Sequence, residues 1–165
     1  MLIHATSIDL CGFGIIILGA SGLGKSDLAL RLIDEGAFLV ADDQTNVEIA
    51  GENLIAMAPH QISGLLEVRG VGVVRAPVKE RSTLRLAVTL SELEIERLPA
   101  LRFWTLPNTP ERRIPLVALR GFEASAPAKL RRSLGVVLKA QRSSPIWLRT
   151  HVETGAEPDY VMRRP

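Results

Sequence analysis

Residues 19–26 read GASGLGKS, and the fold turns on what stands on either side of that stretch. Gly19, Gly24, Lys25 and Ser26 meet the pattern G-x-x-x-x-G-K-[ST]. Glycines let a loop curl until successive N–H groups point inward, and a helix that follows adds its positive end, so the pair cradles phosphate oxygens. A lysine at that place reaches the β and γ oxygens, and the hydroxyl after it binds Mg²⁺. Gly19, Ala20, Ser21, Gly22, Leu23, Gly24, Lys25 and Ser26 are therefore the candidate cradle. The pattern alone occurs by chance, so context decides. Upstream, GIIIL at 14–18 is a short β-branched run without alternation, which suits a strand buried on both faces of a parallel sheet. Downstream, residues 26–35 bring Leu28, Leu32 and Ile33 to helical spacing, with Gly36 placed as a C-terminal cap. A second buried strand is expected over 37–41. Strand, glycine loop, helix and strand make a βαβ unit.

That second strand ends in FLVADD at 38–43. An apolar strand closing on Asp has the form of a Walker B element, whose carboxylate holds Mg²⁺ on a nucleotide. Two adjacent aspartates need a further reason. Asp42 and Asp43 can divide the work, one on the metal and the other facing an incoming hydroxyl whose proton it accepts; alternatively, Asp43 merely starts the next turn. A third acid lies in GLLEVRGVGVV at 64–74, where Glu67 and Arg69 are two apart and are expected on one face of a strand. A charge in so apolar a stretch is either paired or coordinated. No N-K-x-D guanine element is present, which argues against a GTPase.

The middle of the chain changes character. NVEIAGENLIAMA alternates around AGEN and reads as a hairpin. STLRLAVTL places Leu84, Leu86, Val88 and Leu90 on one face of a strand, and PLVAL at 115–119 is another short strand. Residues 128–141 bring Leu130, Leu134, Val137 and Leu138 to one helical face, with Pro127 near the start. The segment 97–113 reads as loop, and 143–165 as a basic, poorly ordered tail after a single catalytic domain over 1–142. The expected fold is α/β: a P-loop kinase core with a mixed sheet, antiparallel additions and flanking helices.

Composition narrows the chemistry. The 165 residues include one cysteine and three histidines, which disfavours zinc and leaves a hard, oxygen-held cation as the expected metal. Cys11 reads as buried packing. Residues 111–165 carry 11 Lys/Arg against 5 Asp/Glu, yet aromatics are only 4% of the chain, too few for base-stacking surfaces along a nucleic acid. No apolar run is long enough to span a membrane, and MLIHATSIDLCGFG lacks a basic signal-peptide start, so a cytoplasmic protein with neither membrane nor nucleic-acid partner is expected.

Together these pieces resemble HPr kinase/phosphorylase, a bacterial serine kinase. The family's histidine in a short strand before the loop is matched by His4, its G-x-S-G-x-G-K-S loop by GASGLGKS, its A-D-D strand end by Ala41, Asp42 and Asp43, and its L-E-I-R-G-x-G signature by LEVRGVG at 66–72. The resemblance covers about residues 2–75. It implies ATP and Mg²⁺ as cofactors, an HPr-like phosphocarrier of a phosphotransferase system as partner, and a homo-oligomer, the family being hexameric. It implies Asp43 as the base for the serine proton, Asp42 beside the metal, Ser26 and Glu67 as Mg²⁺ ligands, His4 close to the phosphates, and Arg97 in IERLP as the catalytic arginine. Departures accompany it. The usual N-terminal domain is not found ahead of the core, as in the short forms of α-proteobacteria. The C-terminal P-V-R-P-G-R-N signature gives way to VALRGFEASAP, so phosphorylation is expected to exceed phosphorolysis. Two other readings remain open at this point: a P-loop kinase of a small hydroxyl substrate, and a nucleotide-sensing module without transfer.

Overall fold

The computed structural model describes residues 1–143. The expected tail, apart from Ser143, lies outside them. Strands β1 (Leu2–His4), β2 (Thr6–Leu10) and β3 (Phe13–Leu18) lead through the phosphate loop into helix α1 (Lys25–Asp34) and strand β4 (Phe38–Ala41). Three hairpins and two single elements follow. They are β5 (Gln44–Ala50) with β6 (Asn53–Met57), β7 (Leu65–Val68) with β8 (Gly72–Arg75), the long strand β9 (Arg81–Leu90), β10 (Arg102–Leu106) with β11 (Thr109–Leu119), and helix α2 (Ala126–Ser143).

The sheet is mixed. β3, β9 and β11 run parallel and adjacent, while β2 lies antiparallel between β3 and β4. The two strands of the expected βαβ unit are thus parallel but separated by a strand that alternation did not reveal. β2 went unseen because all five of its residues are buried, so no polar face marks it. Its turn to β3 holds Cys11 and Gly12 at φ 54 and 88, the two positive values that a tight hairpin needs. Cys11 is therefore exposed on that turn, which corrects the expectation of buried packing.

Each face of the sheet has its own cover. On one side α1 (Leu28, Ala29, Leu32) and α2 (Leu130, Leu134, Val137) pack on Ile8, Ile15, Ile17, Leu86 and Val88. On the other, Val47, Leu54 and Ala56 of the β5–β6 hairpin and Leu106 and Ile114 of the β10–β11 hairpin close over Ile16, Val40 and Ala87. Burying a side chain of this size contributes about 1.5–3 kcal/mol. Leu84 does not share a face with Leu86, Val88 and Leu90 as its spacing suggests. Gly14 opposes Leu84 while Ile15 opposes Leu86, and the bulge at Arg85 shifts the side-chain phase by one.

The segment 97–113 is not all loop. Prolines at 99, 107 and 110 suggested irregular chain, yet pairing of β11 with β9 begins only at Leu116. Over Thr109–Pro115 β11 keeps an unpaired edge, where proline is tolerated. The strand pairs there with β10 around Asn108 at φ 65. Among the described residues no helix is long and apolar enough to cross a membrane.

Candidate active site

The C-terminal ends of the parallel strands meet at one edge of the sheet, and the phosphate loop is bedded there. Gly24 caps α1 with φ 91 and has no side-chain cap, so the first-turn N–H groups are left for a ligand. A Cβ at Gly24 would stand 3.0 Å from the Phe122 ring, and one at Gly19 would stand 3.2 Å from Leu90. Gly121 lies under the loop so closely that a Cβ would collide with the Leu23 carbonyl. β9 and β11 thus fix the loop from below, and Leu23 anchors it to the helical side of the core.

Lys25 is 6% exposed. Its Nζ donates to the carbonyls of Gly19 (3.0 Å) and Ala20 (3.2 Å), which draws the ammonium back across its own loop. The same nitrogen stands 3.2 Å from His4 Nε2. An ammonium only donates, so Nε2 accepts and the ring keeps its proton on Nδ1. That Nδ1 faces Asp43 Oδ1 at 3.3 Å. Asp43, His4 and Lys25 form one polar line that leads from an exposed carboxylate to the centre of the loop.

The two aspartates are separated by backbone geometry. Asp42 is 6% exposed and accepts three hydrogen bonds: Oδ1 accepts from Thr6 Oγ1 and Ser26 Oγ, both at 2.8 Å, and Oδ2 accepts from the Glu67 N–H at 3.1 Å. Asp43 sits at φ 61, and the Gln44 N–H closes on the Asp42 carbonyl at 2.6 Å. This is a three-residue turn of the strained hand. It swings the second carboxylate out of the strand to 68% side-chain exposure at the cavity rim. Asp43 does begin a turn, and the turn is what aims it.

Glu67 and Arg69 do not share a strand face. β7 ends at Val68, and Arg69 belongs to the turn into β8. Glu67 is exposed, and among the described residues no ion pair joins it to Arg69. Both line a cavity of about 440 Å³ together with Lys25, Ser26, Asp42 and Asp43. Arg97 does not line it; that residue is exposed in the segment between β9 and β10. Ser26 and Asp42 fit Mg²⁺. A loop hydroxyl 2.8 Å from a buried strand-end carboxylate is the donor pair that holds the cation in phosphate-loop proteins. No three His, Cys, Asp or Glu side chains cluster to hold a metal alone among the described residues. A cation here would depend on oxygens that a nucleotide brings.

Three contributors escaped sequence reading. Thr6, fully buried, carries no signal except its place two residues after His4. Arg31 looks like a helix-surface residue, yet its guanidinium donates to the carbonyls of Gly121 and of Glu123 (3.0 Å) and so ties the 121–123 loop to α1. Phe122 walls the cavity from that loop. Beyond it, hydrogen bonding from Lys129 holds the Glu123 carboxyl below its usual range, with Arg120 adding to the effect.

A phosphate loop on a mixed sheet, fed by a buried strand and flanked by an acidic strand end, defines the fold class as that of the P-loop kinases. A solved HPr(Ser) kinase/phosphatase from Coxiella burnetii has this fold, with a TM-score of 0.71 over 87% of this chain and 99% of that one, at 22% identity. The chain belongs to the family described as HPr Serine kinase C-terminal domain, whose model matches residues 1–100. Relatives named HPr kinase/phosphorylase are 40% identical over 102 residues in Clostridium acetobutylicum and 33% identical over 146 residues in Streptococcus thermophilus. Those alignments cover 62% and 84% of this chain but 32% and 46% of the relatives, so the chain spans less than half their length.

Proposed function

We propose that this chain is an ATP- and Mg²⁺-dependent serine kinase whose acceptor is HPr or an HPr-like phosphocarrier. The observation that carries the reading is the Asp43–His4–Lys25 line. It links an exposed carboxylate, open to a protein substrate, to the lysine of the phosphate loop. As the serine oxygen bonds to the terminal phosphorus and the bond to the β-phosphate oxygen breaks, Asp43 accepts the hydroxyl proton. His4 keeps that carboxylate oriented through its Nδ1 proton. Lys25 and the free amides of the loop hold the β and γ oxygens. A bound Mg²⁺ supplies charge neutralisation on the phosphates, with Ser26 and Asp42 as its protein partners and Glu67 at the cavity edge. Family membership supports the carrier as acceptor.

The test is transfer of label from γ-labelled ATP to a purified HPr-like protein, followed by mapping of the modified residue. Mg²⁺-dependent label on one carrier serine is the expected result. Label on a small hydroxyl compound instead, or ATP binding without any transfer, would overturn it.

A further inference from the structure

Phe122 stands out in the cavity. Among the described residues it is the single aromatic one in the lining, it comes from the loop after β11, and it is 65% exposed. The loop that carries it is locked. Arg31 binds the carbonyls on both sides of the ring, those of Gly121 and Glu123. The Glu123 N–H bonds the Arg120 carbonyl at 3.2 Å, and the Ala126 N–H bonds the Glu123 carbonyl at 3.0 Å. Gly121 is pressed against the Leu23 carbonyl. A large apolar ring is therefore held rigidly in water beside the cap of α1, where Gly24 leaves room for it. The cavity extends over the first turns of that helix, where Asp27 and Leu30 line it. Its volume of about 440 Å³ falls in the range of pockets that enclose drug-sized ligands, more than a bare phosphate chain requires.

We propose that Phe122 is the platform on which the nucleotide base stacks, so that the site selects a nucleoside triphosphate over an inorganic polyphosphate. This rests on the nucleotide reading above and specifies the donor. A preordered ring costs little entropy on binding, and every base offers a π-face. ATP and GTP are therefore held alike through this contact, and selectivity among bases does not come from it.

Calorimetric titration of the wild type, Phe122→Ala, Phe122→Leu and Phe122→Tyr with Mg-ATP and with Mg-tripolyphosphate tests the assignment. Stacking of one base predicts a loss of ATP affinity of about 5- to 150-fold in Phe122→Ala. Phe122→Leu, which still covers Gly24, loses affinity as well, whereas Phe122→Tyr keeps it; tripolyphosphate binding is unchanged in all three. A parallel loss of tripolyphosphate affinity would show that the ring only props the phosphate loop, and the proposal would fall. Full retention of ATP affinity in Phe122→Leu would overturn it too. Wild-type binding of ATP no tighter than tripolyphosphate would remove the base contact yet leave the phosphate site standing. Binding of neither would overturn the nucleotide reading, and this inference with it.

Discussion

Asp43 and Asp42 are chemically identical neighbours with opposite surroundings. Asp42 accepts three hydrogen bonds and is buried, while Asp43 is exposed on a strained turn and touches only His4 among the ion pairs of the described residues. Asp43→Asn is therefore expected to abolish phosphoryl transfer while Mg-ATP still binds, because an amide cannot take the serine proton. Calorimetry beside the transfer assay checks this; loss of nucleotide affinity alone would contradict the division of labour. Thr6→Val keeps the shape but removes a hydroxyl that Asp42 uses at full burial. The expected cost is about 1–3 kcal/mol in urea unfolding, with a higher Mg²⁺ requirement, and Thr6→Ser should restore both. A stability loss with an unshifted Mg²⁺ requirement would make Thr6 purely structural.

Among the elements, the contact between the loop after β11 and the phosphate loop is a tight constraint. Gly121→Ala places a methyl group against the Leu23 carbonyl, which is backbone and cannot rotate away. An overpacked contact of this kind costs about 1–3 kcal/mol, and the loop has to move to relieve it. The expected outcome is weaker binding of both ATP and tripolyphosphate along with a lower Tm, unlike the base-selective loss at Phe122. Unchanged phosphate affinity in Gly121→Ala would show that the loop does not depend on this support. Much of the element pattern was legible. The helix after the loop, the β5–β6 hairpin and α2 all carry amphipathic or turn signals. β2 and the register of β9 were not legible: a strand buried on both faces shows no alternation, and a bulge breaks the two-residue period on which the reading relies.

The whole molecule bears on direction. Phosphorolysis must neutralise a phosphoserine of about −1.5 to −2 charge next to a second anion. Arg112 and Arg113 are the arginines just ahead of VALRGFEASAP, the segment that displaces the basic signature. They lie near the start of β11, with Arg113 over the Phe103 ring at 5.1 Å. From there to the strand end at the site is about 20 Å at the rise of an extended chain. Only Arg120, exposed next to Gly121, remains close within that segment. Pyrophosphate release from phosphoserine carrier and inorganic phosphate is accordingly expected to be much slower than transfer from ATP. Comparable rates would mean that the basic groups come from elsewhere.

What the sequence determined alone is the chemistry confined to a few neighbouring residues: the glycine loop, the lysine and serine that open α1, and the acidic strand end. Their spacing is itself the geometry, because a loop of six residues between a strand and a helix has few ways to fold. Tertiary structure decided what depends on distant contacts. His4 reaches Lys25 across 21 positions, Thr6 reaches Asp42 across 36, and Arg31 reaches the loop of Phe122 across about 90. No local pattern encodes such pairs, since each side chain obeys the rules of its own element and meets its partner only when the sheet brings strand ends together. For the same reason the γ-turn that separates Asp43 from Asp42 was invisible: two aspartates in a row read alike until the backbone between them turns.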